Sequence, residues 1–238
     1  MQKLRVIDVV YMLAIIALGV LYINEKFIEK KQFKEIDVER INVVGEDGNK
    51  YIVLSCPKRQ ALATMNHKPI DPEQERDVPG LLFFNQQGDE IGGLIYHGDD
   101  SSSFQMLTFD QYKNDQIMCM RKDEYKQDGK WNRRYGLTFQ ERFWVNNMDS
   151  VMNVYRELTK IENEEERNNA IDELFSDPSL RVPFRMFLGR TFKGSNGLFL
   201  YDDQSRTRAR FYIDKNNNAK LQFFDENGKK VYQIPESK

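Results

Sequence analysis

One motif recurs through this chain and constrains it more than any other feature. Two apolar residues meet a polar turn cluster, and the chain returns through a second apolar run. Val43-Val44-Gly45-Glu46-Asp47-Gly48-Asn49-Lys50-Tyr51-Ile52 shows it, and Phe83-Phe84-Asn85-Gln86-Gln87-Gly88 before Ile91 to Tyr96 repeats it. Phe223-Phe224-Asp225-Glu226-Asn227-Gly228-Lys229-Lys230-Val231-Tyr232 repeats it again. Leu200-Tyr201-Asp202-Asp203-Gln204-Ser205 before Thr207 to Ile213 is a copy without the glycine, and Thr108-Phe109-Asp110-Gln111 before Ile117 to Met120 is a looser one. Asp or Asn after the apolar pair bonds its own backbone and starts a turn, and Gly three positions later supplies positive φ without a steric penalty. The flanks are rich in Phe, Tyr, Val and Ile, which suit a pleated surface. A lone hairpin is marginal in water, so several must pair or stack. The spacing is irregular in the first half, so no strict solenoid is implied.

The expected fold is therefore mainly β, hairpin-repeat and meander sheets, with a helical insert and one N-terminal transmembrane helix. The best-defined part is a C-terminal antiparallel meander within residues 178–238. Its strands are predicted at Phe184–Thr191, Gly197–Tyr201, Thr207–Ile213, Ala219–Phe224 and Lys230–Ile234. Pairing across Asp214–Asn218 puts Phe211 opposite Leu221 and Ala209 opposite Phe223. With Leu198 and Leu200, that face is expected to be the core side. Residues 38–148 form an N-terminal β-hairpin region, interrupted by a long excursion from Pro57 to Pro79 that carries four prolines. Residues 149–177 are a helical insert. Asp149 or Ser150 caps it, Val151, Val154, Tyr155, Leu158 and Ile161 share one stripe, and Asp177-Pro178 ends it. Trp131, Trp144, Phe139 and Phe143 are expected in the core.

Val9 to Ile23 reads VVYMLAIIALGVLYI, without a charge. With Val6 and Ile7 the run would extend roughly 27 Å as a helix, close to the hydrocarbon thickness of a bilayer. Residues 1–24 are accordingly read as a membrane anchor. A cleaved signal peptide is the first alternative, with Ala17-Leu18-Gly19 as its cleavage site. The run continues past Gly19, however, and Asp8 is unwelcome in a signal sequence. A buried core helix is the second. Residues 25–37 are a spacer, with helix expected over Asn24 to Glu35. Lys26, Lys30, Lys31 and Lys34 favour a cytoplasmic main domain, whereas the short N-terminal tail favours the opposite. An extracytoplasmic domain is the expectation adopted.

Composition removes several function classes. Lys plus Arg number 35 against 37 Asp plus Glu, a net charge of −2, so the broad basic footprint of a nucleic-acid binder is missing. The two cysteines, Cys56 and Cys119, form no CxxC pair and read as small buried hydrophobes rather than a zinc site or a disulfide. No cofactor, metal or catalytic residue is expected. His97, Asp99 and Ser101 to Ser103 lack a nucleophile-elbow context. Asp214 to Asn218 with Asp225 echoes a calcium loop, but Ala219 stands where the loop needs Gly and the turn explanation is simpler.

The run Val38 to Val44 with Asp47-Gly48, then Gly80-Leu81-Leu82-Phe83-Phe84-Asn85 with Gly92-Gly93-Leu94-Ile95, resembles a group of uncharacterised bacterial proteins. Leu107-Thr108-Phe109-Asp110-Gln111-Tyr112 and Gly197-Leu198-Phe199-Leu200-Tyr201-Asp202 match the same group, so the resemblance covers most of the chain after the anchor. It implies a single-pass membrane-anchored protein of repeated β-hairpins. These proteins have no assigned activity, so the resemblance implies no functional residue.

The sharpest binding feature is a strand face. Arg206, Arg208 and Arg210 alternate on one strand, with Arg208 near Phe224, Arg210 near Gln222 and Arg206 near Glu226 in the register above. Phe199, Tyr201, Tyr212 and Phe224 share that face. It suits an acidic glycan or another anionic ligand; the plainer reading is a solvated face laced with cation–π and ion pairs. The main functional expectation is a membrane-tethered interaction or scaffold protein, with a protein partner or self-association. The anion-binding module is the alternative. An enzyme built on scattered carboxylates is a third reading, one that needs a deep pocket with two converging acids.

Overall fold

The computed structural model of the chain describes residues 6–28, 33–72, 75–142 and 148–235. It divides into two compact units, Met1–Val38 and Glu39–Lys238. The first holds helix α1 (Val6–Ile28), whose described side chains at 7 and 9–22 are all exposed. Among the described residues, no helix is long and apolar enough to cross a membrane. The helix expected to continue to Glu35 does not do so. Residues 29–32 lie outside the described residues and 33–38 are irregular.

The second unit is built on one sheet. Its strands are β1 (Arg40–Val44), β2 (Lys50–Ser55), β5 (Gly80–Phe84), β6 (Glu90–Gly98), β7 (Ser102–Asp110), β8 (Gln116–Gln127) and β9 (Lys130–Gln140), then β10 (Phe184–Arg190), β11 (Asn196–Tyr201), β12 (Thr207–Ile213), β13 (Ala219–Phe224) and β14 (Lys230–Ile234). A two-residue hairpin, β3 (Thr64–Met65) with β4 (Lys68–Pro69), sits in the excursion after β2. The twelve strands of the main sheet pair in sequence order, each antiparallel to the next. Helices α2 (Met148–Thr159) and α3 (Glu164–Ser176) lie between β9 and β10, which pair directly, so the sheet runs unbroken past the insert.

Among the described residues the repeat is a single turn made seven times. Its first residue donates its N–H to the carbonyl four residues on, and the fourth donates back to the first. Gly45, Asn85, Gln111, Thr191, Asp202, Asp214 and Asp225 open these turns. Gly48, Gly88, Gly194 and Gly228 take positive φ at the fourth position, with Ser205 and Asn217 in glycine's place. At the five copies visible in the sequence the strand register slips by one residue, at Val43/Val44, Phe83/Phe84, Phe109/Asp110, Leu200/Tyr201 and Phe223/Phe224. In four of the five the apolar pair straddles a β-bulge, and in the Thr108-Phe109 copy the bulge follows the pair. Asp128 and Gly129, both at positive φ, make the tight β8–β9 turn.

Away from the bulges the register is continuous across all twelve strands. One unbroken row reads Asn42–Val53–Leu82–Gly93–Thr108–Cys119–Thr138–Phe187–Phe199–Arg210–Gln222–Gln233. Nine of these positions, all but Asn42, Arg210 and Gln233, are buried. This defines the inner face. At its N-terminal end Ala61 of the excursion packs on Val53, Leu82 and Phe84. Asp89, almost wholly buried, accepts from the Asn66 N–H at 2.7 Å and from Lys113 Nζ at 2.9 Å. The excursion is therefore pinned to the sheet, not a free loop.

The outer face differs from expectation. Leu198, Leu200, Ala209, Phe211, Leu221 and Phe223 share a face in the predicted register, Phe211 opposite Leu221 and Ala209 opposite Phe223. That face is not the core side: Phe211 is 60% exposed, and none of the six is buried. Apolar residues alternate onto both faces of these strands, and the rings of Phe187, Phe199 and Tyr212 close over the inner one. Trp131 is likewise 47% exposed rather than core, because it lies next to the β8–β9 turn, and Phe139 is half-buried. Phe143 and Trp144 lie outside the described residues.

Candidate functional site

The inner face of β9 to β13 carries a ladder of rings. Phe187, Phe199 and Tyr212 come from consecutive strands with successive centroids 5.8 Å apart. Tyr201 packs against them half-buried, and that burial raises its phenol pKa, against the pull of Arg134 and Arg210. Arg210 lies over Tyr212 at 5.1 Å and over Phe224 at 4.9 Å, and its Nε donates to Gln222 at 2.5 Å. At the other end Arg134 stands over Phe187 at 4.7 Å. Among the described residues, no carboxylate lies within 4 Å of Arg134 or Arg210. Two cations thus flank the ladder, held by π faces rather than by counter-ions.

Of the residues singled out in the sequence, Phe199, Tyr201, Arg210, Tyr212 and Phe224 are brought together. Arg208 reaches Phe224 as expected, its Nε 3.2 Å from that residue's carbonyl. Arg206 does not approach Glu226. It precedes β12, on the turn side of the bulge, and its Nε bonds Asp202 at 2.8 Å. Arg208 Nη1 lies 3.6 Å from the same carboxylate. Burial would raise the Asp202 carboxyl, but the N–H groups of Arg206 and Gln204 and the Arg206 guanidinium bring it down to about 2. Arg206 and Arg208 are thus partly neutralised by a turn residue. Phe187 and Arg134 are the members that sequence reasoning missed. Their signal is the β9–β10 register, which spans the helical insert.

Arg134 also lines a cleft of about 470 Å³ with Cys119, Arg121, Phe104, Thr138 and Phe192. Its other charges are paired, Arg121 with Asp123 at 2.7 Å and Lys122 with Glu124 at 2.9 Å. Cys56 and Cys119 are both free thiols, and burial raises that of Cys119.

A second cluster gathers at the turns of β5 to β8. Arg76 pairs with Glu90 at 2.8 Å and Arg142 with Asp115 at 2.8 Å. Between them Asp110 keeps a buried Oδ1 without a hydrogen-bond partner. Burial, then the charges of Asp115 and Glu90, push its carboxyl up to about 7. Burial also raises Glu90, against Arg76. Neither acid lines the clefts around Arg134, His67 or Trp131.

The remaining candidates are turn devices. Asp99 accepts from the Ser101 N–H and Oγ and from the Ser102 N–H, and from His97 Nε2 at 3.2 Å, which holds its carboxyl far below the usual range. The Ser101 hydroxyl is spent on Asp99, not aimed at the imidazole. Asp214 is engaged by Asn216, Asn218 and Lys220. His67 is exposed in the β3–β4 turn.

The opposite face of the same sheet is the larger feature. A row of twelve apolar residues crosses every strand: Ile41, Leu54, Leu81, Leu94, Leu107, Met120, Leu137, Leu188, Leu198, Phe211, Leu221 and Ile234. Beside it runs Val43–Ile52–Phe83–Gly92–Phe109–Met118–Phe139–Met186–Leu200–Ala209–Phe223–Tyr232. Among these 24 positions there is no charge, and Gly92 alone is buried. Comparison of the chain with protein families, with curated proteins and with solved structures finds no match in any of the three.

Proposed function

We propose that this chain is a membrane-tethered interaction protein, with the apolar run Val9 to Ile23 of its sequence as the anchor and the twelve-stranded sheet as the surface it displays. The observation that carries this reading is the bare apolar face. Exposed apolar patches beyond a few hundred Å² mark interaction sites, and two uncharged rows across twelve strands exceed that. The anchor rests on the sequence run Val9 to Ile23, and an extracytoplasmic sheet on the short tail before it. The test is alkaline extraction of membranes holding the full-length chain, followed by protease treatment of intact cells. Retention in the pellet is expected, with the sheet accessible from outside; release into the supernatant removes the tether. Photo-crosslinking from position 120 should give a discrete adduct, and none at all removes the interaction.

A second reading is favoured by Arg134 and Arg210, cations with aromatic partners and no carboxylate: the inner face as a site for an acidic glycan. Arg134→Ala with Arg210→Ala should abolish binding to a sulfated glycan surface. Arg206→Ala, whose guanidinium is held by Asp202, should weaken it far less. Equal effects from both changes would reject the ladder as the site.

A further inference from the structure

We propose that the outer face of the sheet closes on the same face of a second copy of this chain. The inference rests on the reading of the protein as an interaction protein, and it names the partner.

Two observations point to a second copy. The first is area. Strands about 4.8 Å apart and rows about 7 Å apart make the two apolar rows a patch of roughly 700 Å², close to the roughly 800 Å² per partner of a stable interface. The second is self-complementarity. A two-fold contact needs a surface that fits itself. The row from Ile41 to Ile234 is apolar at both ends and at every strand between, and obligate homodimers have more apolar contact faces than transient partners do. Two such sheets stack about 10 Å apart as a sandwich.

The experiment uses the full-length chain in non-ionic detergent, with mass measured by light scattering. Two copies per particle are expected. Met120→Lys with Leu188→Lys, at positions 59% and 49% exposed in the single chain, should leave the fold intact and weaken association at least about 100-fold. The wild-type protein supplies a readout that needs no variant. Met120 should be oxidised by peroxide at least about tenfold more slowly at concentrations where two copies are present than at dilution. One copy per particle at tens of micromolar overturns the proposal, even if Met120 is protected, because lipid, detergent or another protein then covers the face. Two copies that persist in the doubly substituted chain also overturn it, placing the contact at an edge strand or in α1. None of these outcomes touches the tether, which alkaline extraction decides separately.

Discussion

Gly136 on β9 and Gly189 on β10 face one another directly, and the ring of Phe187 lies against the space where a Gly136 side chain would be. A Cβ on Gly136 would sit 2.3 Å from the Leu188 carbonyl oxygen and 2.6 Å from Phe187 Cε2. One on Gly189 would sit 2.2 Å from the Tyr135 carbonyl oxygen. Gly197, the next residue along that row, has the Phe211 carbonyl oxygen equally close. Three adjacent strands therefore approach too closely at this row for any side chain, and glycine is the residue that leaves room for the ring of Phe187.

Gly136→Ala should therefore lower unfolding free energy by about 2–4 kcal/mol, since backbone rather than a flexible side chain must yield. Gly98→Ala is the comparison. There the nearest atom to an added Cβ is Ser103 Oγ at 3.6 Å, and the change should be within about 0.5 kcal/mol. Urea titration followed by tyrosine and tryptophan fluorescence reads both.

The repeated turn predicts a second pair of effects. Asp214 Oδ1 accepts from the N–H groups of Asn216 and Asn218 at 2.8 and 3.0 Å, and Asn217 holds φ 64°. Asp214→Ala should lower the melting temperature, as does the loss of a helix cap making the same kind of bond. Asn217→Gly should gain up to about 1 kcal/mol. Thermal melts of the two variants should move in opposite directions.

Much of this architecture was legible in the residues themselves. Asp or Asn followed by Gly marks a turn through its own backbone chemistry, and the five C-terminal strands stand where β-branched and aromatic runs place them. The β12–β13 register followed from the length of one turn. What the sequence leaves open is which face is covered. Strands such as Leu198-Phe199-Leu200-Tyr201 are apolar on both sides, so alternation alone does not choose between them. The ladder was half legible for a related reason. Phe199, Arg210 and Tyr212 lie on neighbouring strands, whereas Arg134 and Phe187 are separated by the helical insert and meet only through the β9–β10 pairing. The long β8–β9 hairpin was hidden by its charged outer half, Arg121 to Arg134, where nothing apolar alternates beyond Tyr125 and Trp131.

Asp89 joins the excursion to the sheet, and its removal is the third prediction. Burial alone would raise its carboxyl, but the Asn66 N–H, the Asn85 amide and the Lys113 ammonium together hold it below the usual carboxylate range. Asp89→Ala leaves Lys113 without its carboxylate and should cost about 3–5 kcal/mol, the range for a broken buried pair. Limited proteolysis should then cut within residues 57–79 at least tenfold faster than in the wild type, while cleavage in the C-terminal meander stays unchanged.

Asp110 predicts a pH dependence of the opposite sign to that of the turn aspartates. Its folded pKa is about 7, against about 3.9 in an unfolded chain. Below about pH 4 both states carry the proton and the site costs nothing. As pH rises from about 4 to 7 the unfolded chain ionises freely while the folded site resists, so stability falls across that window. Glu90, also raised, adds to the same slope. Asp202, lowered to about 2, contributes stability above about pH 4 that is lost on acidification, and so does not mask the effect above pH 5. Asp110→Asn keeps the shape and removes the charge. At pH 8 it should be more stable than the wild type by about 1–2 kcal/mol, a figure discounted from the full shift for partial solvent access. The two proteins should converge near pH 4.5. Guanidinium unfolding at pH 4.5, 6 and 8 gives the difference directly, and a constant offset across the three would remove the buried, unpartnered carboxyl as its cause.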